Sequence, residues 1–212
     1  MVEGFPVGSS DVSDACDELG VEAVRTGSLR PLWPECSPLA GRMRTVRLDN
    51  GTGTPLLELL EVLAGAADQL LLVDLGGRLD VQCWGTVLAT AARSFGVRGA
   101  LVNGAVRDVE GLRELGFATY ALGVYTARIR GRLDLAAVDQ PVELDGGIVE
   151  SGSFAIADAS GAVFLPDSRA VDVLALASDL RTEEEQRLQA VRSRGDPRLV
   201  FARRPPETPR SA

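Results

Sequence analysis

The chain has 212 residues, of which 45% are hydrophobic and 25% are charged, proportions typical of one globular domain with a substantial core. Its formal charge of −8 argues against a nucleic-acid backbone as binding partner. It has no histidine and all 22 basic residues are arginine, which excludes Ser-His-Asp and Cys-His catalytic groups, histidine-ligated metals and lysine Schiff bases.

The first predicted elements are a helix and a proline-containing loop. Apolar side chains at helical spacing predict a helix over residues 10–19, and Gly20 is expected to end it. Residues 27–38 contain three prolines around Trp33. A linker between domains and a packed surface loop both fit this composition, and the aromatic anchor favours the packed loop.

The next segments alternate between strand and helix. Residues 42–48 are predicted to form a strand, in which three arginines either attract an anionic ligand or protect an exposed edge: Arg42, Arg44 and Arg47. Proline at the first helical position favours a helix over residues 56–67. The apolar run 70–73 predicts a buried strand. Charged residues beyond it either border a ligand cleft or form a salt-bridged loop: Asp74, Arg78 and Asp80.

Residues 81–108 combine charge, glycine and apolar side chains in an order that suggests a ligand site. The sequence around Trp84 is expected to turn into an amphipathic helix that ends at Gly96. The first turn of a helix leaves backbone amides unpaired and therefore suits an anion. The candidate anion site consists of Gly85, Thr86, Val87 and Leu88.

A short buried strand is predicted over residues 99–102, and Asn103-Gly104 is expected to turn the chain at its end. Arg107 and Asp108 follow, near the strand end where ligands tend to bind in open α/β sheets. A guanidinium can hold a substrate carboxylate, and a carboxylate can hold a divalent cation. A structural ion pair, or a cap by Asp108 on a helix over residues 109–115, would explain the same pair.

The remaining elements first continue the alternation of strand and helix and then change to a hairpin, short strands and C-terminal helices. Strands are predicted at 117–122, 154–157 and 162–165, with a hairpin at 141–149, a helix from 166 to 180 and another over 182–193. Three glutamates in the first turn of the last helix would complement its dipole: Glu183, Glu184 and Glu185. Residues 1–202 are expected to form one domain, with a disordered tail at 203–212.

The three cysteines are widely spaced and odd in number: Cys16, Cys36 and Cys83. This pattern predicts free thiols in a reducing compartment rather than a disulfide framework. No signal-peptide pattern opens the chain, and no apolar run approaches the thickness of a bilayer. A cytoplasmic protein without a membrane partner is therefore expected.

The block from Trp84 to Asp108 resembles the RraA-like family, which contains 4-hydroxy-4-methyl-2-oxoglutarate aldolases, related oxaloacetate decarboxylases and regulators of ribonuclease activity. The similarity rests on Trp84-Gly85, Ala91-Ala92, Gly96-Val97 with Gly99, and Asn103-Gly104-Ala105-Val106-Arg107-Asp108. Weaker similarities extend it from about residue 10 to 195. The resemblance implies a single α/β domain, a swivelling β/β/α sandwich, assembled as a homotrimer or hexamer with sites between subunits.

The resemblance also implies roles for individual residues. Arg107 would bind a small anionic 2-oxo acid and act in catalysis with Asp108, which would ligate Mg²⁺ or Mn²⁺. The amides of residues 86–88 would bind the pyruvyl carboxylate. A glutamate from a C-terminal helix of a neighbouring subunit would contact the waters of the metal, and the spacing favours Glu184.

Two positions depart from the aldolase pattern, because Thr86 and Gly111 stand where the aldolases have acidic residues. Threonine carries no charge and cannot act as a general base at neutral pH. Three functions stay open. The chain is a metal-dependent lyase acting on a pyruvate-derived 2-oxo acid, an isomerase or cyclase acting on another anion, or a non-catalytic binding protein like the ribonuclease regulators.

Overall fold

The computed structural model describes residues 7–194 and 197–198 of the chain. Its helices and strands are, in chain order, α1 (Ser9–Leu19), β1 (Val24–Thr26), β2 (Arg30–Pro31), β3 (Leu39–Asn50), α2 (Leu56–Ala64), β4 (Leu70–Asp74), β5 (Gln82–Trp84), α3 (Thr86–Ser94), β6 (Gly99–Val106), α4 (Val109–Leu115), β7 (Thr119–Val124), β8 (Leu133–Val138), β9 (Val142–Leu144), β10 (Gly147–Val149), β11 (Phe154–Asp158), β12 (Gly161–Leu165) and α5 (Asp167–Arg194). The predicted domain end at residue 202 and the predicted tail, residues 203–212, lie outside the described residues.

Within the described residues, ten strands form one mixed sheet that curls into a half-barrel. Its order is β1-β12-β11-β3-β4-β6-β7-β2, with β5 beside β6 and β8 beside β3. The long strand β3 belongs to both halves: residues 39–42 pair antiparallel with β11, and residues 43–47 pair parallel with β4. This is the single-domain α/β fold that the family resemblance implied.

The parallel strands β4 and β6 lie at the centre of the core. Every residue of both strands is buried, as expected for parallel strands that are covered on both faces. Helix α3 covers one face with Leu88, Ala89 and Ala92. A smaller core lies where α1 and α5 pack together over β11 and β12. The central strands thus form a rigid base for the loops at their carboxyl ends.

The turn predicted at Asn103-Gly104 is wrong, because both residues lie inside β6. The Nδ2 of Asn103 donates to Oδ1 of Asp74 at 2.7 Å, which pairs two buried polar side chains across neighbouring strands. Gly104 is needed for a close approach, since a Cβ there would lie 2.7 Å from Cβ of Leu75. The strand therefore ends at Val106, directly before the candidate site residues.

The two helices predicted for the C-terminal region are one continuous helix, α5. No glycine or proline interrupts it, and side-chain contacts stabilise the helix across the position where a break was predicted: Arg181 pairs with Glu185 at 3.2 Å, and the hydroxyl of Thr182 donates to the carbonyl of Ser178 at 2.8 Å. The three neighbouring glutamates therefore lie in mid-helix. Their interpretation as first-turn residues that complement a helix dipole is wrong.

Several local predictions are confirmed. Gly20 ends α1 in the left-handed conformation, β9 and β10 form the expected hairpin, and the three cysteines are free and buried. The three arginines of β3 pair with carboxylates: Arg42 with Asp167, Arg44 with Asp139 and Arg47 with Asp49. The exposed-edge interpretation of these arginines is wrong, however, because β3 lies inside the sheet, between β4 and the strands β8 and β11. In the described part of the chain, no helix combines the length and the hydropathy needed to cross a bilayer.

Removing the Asp74 carboxylate is expected to destabilise the domain. Its Oδ1 accepts from Asn103 and from the amide of Gly76 at 2.8 Å, so Asp74→Ala leaves the buried side-chain amide of Asn103 unpaired, releases the exposed turn at Gly76 and lowers the free energy of unfolding by about 2 kcal/mol. Urea unfolding measures the change. The control, Asp49→Ala, removes an exposed carboxylate and should cost under about 0.5 kcal/mol. Equal losses in the two variants would contradict this account.

Candidate active site

A cavity of about 280 Å³ opens at the carboxyl ends of β5 and β6. Its wall includes the start of α3, the residues that follow β6 and part of the segment between β7 and β8. This is the edge of an open α/β sheet where ligands bind most often. Most of the residues that the sequence singled out face this space, namely Gly85, Val87, Leu88, Arg107 and Asp108.

The start of α3 contributes unpaired backbone amides. Gly85 is the N-cap residue, and no side chain caps this helix end. The amide of Ala89 is bonded to the carbonyl of Gly85 at 3.0 Å, so the amides of Thr86, Val87 and Leu88 precede the first bond within the helix. Together with the helix dipole, these donors favour an anion at the wall of the cavity.

Arg107 and Asp108 form a half-exposed pair on the same wall. The Nε of Arg107 lies 3.3 Å from Oδ2 of Asp108, and the two side chains are 38% and 42% exposed. Asp108 has a left-handed backbone, φ 56° and ψ 44°, which is uncommon for a residue other than glycine. It occupies the N-cap position of α4, yet its side chain makes no capping bond. The pair is therefore neither buried nor used as a helix cap.

Gly85 makes this arrangement possible. A Cβ at Gly85 would lie 2.8 Å from Oδ2 of Asp108 and 3.1 Å from Cγ of Arg107. Because glycine has no Cβ, the carboxylate of Asp108 and the guanidinium of Arg107 lie directly against the start of α3. Amides, guanidinium and carboxylate thus converge on one space.

Two arginines of the site were missed by the sequence analysis. Arg128 and Arg130 line the cavity from the segment between β7 and β8. That segment is tied to the sheet by backbone bonds from Tyr125 to Val106 at 2.8 Å and from Gln82 to Ala127 at 3.3 Å. Neither guanidinium forms an ion pair within the described residues. The cavity wall therefore carries three guanidiniums and one carboxylate, an excess of positive charge that suits an anionic ligand.

Cys83 also lines the cavity, but its thiol is unreactive. Burial raises the pKa of its thiol above the ordinary value, and its Sγ lies 3.9 Å from the carbonyl oxygen of Ala105. A buried thiol with a raised pKa stays protonated at neutral pH and is a poor nucleophile. Covalent catalysis through Cys83 is therefore not what this site offers.

Thr86 and Gly111, which stand where the aldolases have acidic residues, are neighbours in space. The Oγ1 of Thr86 lies 3.4 Å from the carbonyl oxygen of Asp108. A Cβ at Gly111 would come within 2.3 Å of that Oγ1. The side chain of Thr86 thus lies against α4. Among the described residues, Asp108 is the only acidic side chain on the cavity wall.

Glu184 lies elsewhere in the chain. It is exposed in a groove between α1 and α5, beside Asp14 and Glu18, and this groove shares no residue with the cavity at Arg107. Within one subunit the fold does not bring Glu184 and Asp108 together. A role for Glu184 at the site requires a neighbouring subunit.

The residues present fit a weakly held divalent cation better than a dedicated metal cage. Across residues 7–194 and 197–198, no group of three acidic or cysteine side chains is close enough to hold an ion. Mg²⁺, however, keeps several waters and commonly uses one or two carboxylates. The half-exposed Asp108, whose Oδ1 makes no hydrogen bond with the described residues, suits such a site.

Comparison with known proteins connects this geometry with a family. A family model described as RraA-like, Aldolase/RraA, matches residues 9–164. The 4-hydroxy-4-methyl-2-oxoglutarate aldolase of Thermus thermophilus is 36% identical over 158 residues, which cover 68% of this chain and 93% of the aldolase. The structure of the RNA-processing inhibitor RraA from the same organism has a TM-score of 0.63 and 33% identity, covering 76% of this chain and 94% of that one.

A longer relative matches as well. Protein DlpA of Legionella pneumophila is 26% identical over 188 residues, which cover 87% of this chain. The chain spans only 30% of the length of DlpA. The matched region is therefore one part of that larger protein.

Proposed function

This chain belongs to the RraA-like family, and from that premise we propose that it is a lyase that cleaves a carbon–carbon bond in a pyruvate-derived 2-oxo acid, assisted by Mg²⁺ or Mn²⁺. The convergence of Arg107, Asp108 and the start of α3 on one cavity carries the proposal. The related Thermus aldolase supports the same class of reaction.

Binding of the substrate would use charge-assisted hydrogen bonds. The guanidinium of Arg107 offers planar donors that match a carboxylate, and the amides of Val87 and Leu88 offer further donors beside it. Because these groups belong to the ends of buried strands and a helix, they are in place before the substrate arrives. They fix the 2-oxo acid with its reacting carbons inside the cavity.

Cleavage leaves the electron pair of the broken C–C bond on the pyruvate fragment as an enolate. Arg107 and the amides of α3 would stabilise this negative charge, because they line the same cavity. Asp108, with Glu184 of a neighbouring subunit acting through water, would hold the divalent cation. A bound Mg²⁺ or Mn²⁺ supplies Lewis-acid polarisation of the 2-oxo group. In the aldol cleavage the substrate hydroxyl would lose its proton to solvent as its carbon becomes a carbonyl, and the enolate would take a proton from solvent to complete pyruvate. The buried Cys83 thiol, whose pKa is raised, is a poor proton donor.

The direct test is pyruvate release from oxaloacetate and from 4-hydroxy-4-methyl-2-oxoglutarate, measured with Mn²⁺, with Mg²⁺ and after chelation. Metal-stimulated pyruvate release above the rate of a matched mixture without protein supports the proposal, because divalent cations alone decarboxylate oxaloacetate. Equal rates with metal and after chelation would remove the cation from the mechanism. Pyruvate release no faster than in the mixture without protein, for both substrates, would overturn the lyase assignment.

Arg128 and Arg130 are expected to bind a second anionic group of the substrate. Each variant, Arg128→Ala and Arg130→Ala, should raise KM for 4-hydroxy-4-methyl-2-oxoglutarate about tenfold and change kcat little, because the lost guanidinium would hold the C5 carboxylate, which is not part of the broken bond. Steady-state kinetics measure this. Arg192→Ala, on the exposed part of α5, is the control and should match wild type. An unchanged KM in both cavity variants would contradict the assignment.

Assembly as a trimer or hexamer is part of the proposal. Large apolar side chains are exposed on segments that border the cavity: Leu57, Leu79, Val87, Val124 and Tyr125. Such a patch indicates contact with another surface, here further copies of the chain. Light scattering tests this, and a monomer would contradict it.

The free, buried cysteines suit the reducing cytoplasm, where we place the protein.

A second candidate function is a different reaction, an isomerisation or cyclisation of another anion. It is favoured by Thr86 and Gly111, which stand where the aldolases have acidic residues, together with the retention of Arg107 and Asp108. Binding of anions without pyruvate release would support it. Similarity to the Thermus RNA-processing inhibitor also suggests a non-catalytic regulator, which a ribonuclease inhibition assay tests.

A further inference from the structure

We infer that Thr86 is a positioning residue, whose side chain occupies the space beside Gly111 and holds the backbone of Asp108 in the conformation that turns its carboxylate into the cavity. Only the catalytic consequence rests on the proposed function. The packing of Thr86, Gly111 and Asp108 is a property of the fold and can be tested without any substrate.

Asp108 has an unusual conformation that its own side chain does not explain. Its φ of 56° is left-handed, a region that is unfavourable for residues with a Cβ. Asparagine or aspartate can adopt it when the side chain bonds to nearby backbone, but the carboxylate of Asp108 lies beside Arg107 and makes no capping bond. Neighbouring contacts must therefore stabilise this backbone.

Backbone hydrogen bonds hold the chain on both sides of Asp108. The amide of Arg107 donates to the carbonyl of Trp84 at 2.9 Å, and the amide of Leu112 donates to the carbonyl of Asp108, also at 2.9 Å. These bonds fix the end of β6 and the first turn of α4. Neither of them bonds Asp108 to the first turn of α3, which lies beside it on the same wall of the cavity.

Thr86 makes that link. Its hydroxyl donates to the carbonyl oxygen of Asp108 at 3.4 Å. Thr86 is the first residue of α3, so this contact ties the helix start that offers amides to the residue that offers the carboxylate. Because threonine is branched at Cβ, few rotamers are available and the hydroxyl has a defined direction.

Gly111 provides the room for this side chain. A Cβ at position 111 would lie 2.3 Å from Oγ1 of Thr86 and 3.3 Å from both its Cβ and its Cγ2. Gly111 is not among the glycines with positive φ, so its backbone does not demand glycine. Glycine is also a poor residue inside a helix. The space that Thr86 needs is therefore the structural reason for Gly111.

The packing implies that side chains at the two positions exclude each other. While Thr86 keeps its place, a carboxylate at position 111 cannot be accommodated without moving it or the start of α4. The site therefore works with Asp108 as its single wall carboxylate, and its placement depends on Thr86.

A mutant cycle tests the packing by thermal unfolding of Gly111→Ala, Thr86→Ala and the double variant. In the wild-type background, Gly111→Ala should lower Tm by about 3 °C or more, because the new Cβ meets Thr86. In the Thr86→Ala background the same change should raise Tm by about 2 °C, since alanine is the better helix former. This reversal of sign supports the inference, and equal shifts in both backgrounds overturn it.

Kinetics test the positioning role. Thr86→Val keeps the shape but loses the hydroxyl, and it should lower kcat for pyruvate release about tenfold with little change in KM. Thr86→Ser, which restores a hydroxyl, should recover most of that loss. Thr90→Val is the matched control, because the Thr90 hydroxyl only donates to the carbonyl of Thr86 within α3, and its kcat should equal that of wild type.

The outcomes separate this inference from the proposed function. Wild-type kcat in Thr86→Val, with pyruvate release intact in the wild-type protein, would overturn the positioning role. If the wild-type protein releases no pyruvate, the proposed function fails, and the mutant cycle in Tm then decides the inference alone: reversal of sign upholds it and equal shifts overturn it.

Discussion

Replacing Arg107 with alanine is expected to lower kcat/KM for pyruvate release by a factor of about a thousand, which corresponds to about 4 kcal/mol of lost transition-state stabilisation. Arg107 is the guanidinium that lies beside both the start of α3 and Asp108. In the proposed mechanism Arg107 binds the substrate carboxylate and stabilises the developing enolate, so its loss should weaken binding and catalysis together. Steady-state kinetics with oxaloacetate and Mn²⁺ measure the effect.

The matched control is Arg113→Ala, which removes an exposed arginine that pairs with Glu35 at 3.2 Å on the outside of α4. This variant should keep kcat/KM within about twofold of wild type, because an exposed ion pair contributes little. Arg107→Lys is informative as well, since an ammonium keeps the charge but not the planar fork, and it should stay impaired. If Arg107→Ala and Arg113→Ala had similar activity, Arg107 would have no part in the reaction.

Local sequence patterns predicted much of the fold. The apolar run before Asp74, the glycine at the end of α1 and the hairpin of β9 and β10 all carry their signal within a few residues. Such features depend on burial periodicity and turn chemistry, which a single sequence displays. The short strands β1 and β2 were not predicted, because they exist only through pairing with β12 and β7, which are distant in sequence.

Asn103-Gly104 shows why local chemistry can mislead. The dipeptide has strong turn propensity, but a buried partner at Asp74 and the close approach of Leu75 favour the extended chain. Tertiary contacts between neighbouring strands thus outweighed the local preference. The error moved the predicted strand end but left Arg107 and Asp108 just beyond the real one at Val106.

Part of the candidate site was predictable because its residues are close together in the sequence. Arg107, Asp108 and the start of α3 lie within one short block and could be linked by the ends of successive elements. Arg128 and Arg130 could not, because only the return of the chain past β6 brings their segment over the cavity. The contact between Thr86 and Gly111 was also hidden, since it joins two helices.

Replacing Asp108 with asparagine is expected to lower kcat by a factor of about a hundred or more and to abolish stimulation by Mn²⁺. Asparagine keeps the shape of the side chain and tolerates the left-handed backbone of Asp108, so the fold should persist. What changes is the charge of the only acidic group on the described wall of the cavity. Titration of Mn²⁺ followed by electron paramagnetic resonance measures binding independently of turnover.

Glu110→Gln is the control for Asp108→Asn, because Glu110 is an exposed acid two residues along that does not line the cavity. Both variants reduce the negative charge of the same helix start by one, so a general electrostatic effect would weaken Mn²⁺ binding equally in both. A specific ligand role predicts loss of binding in Asp108→Asn alone. Retained Mn²⁺ affinity together with a low kcat would instead assign Asp108 to the substrate, because the carboxylate would then act on the reaction without holding the cation.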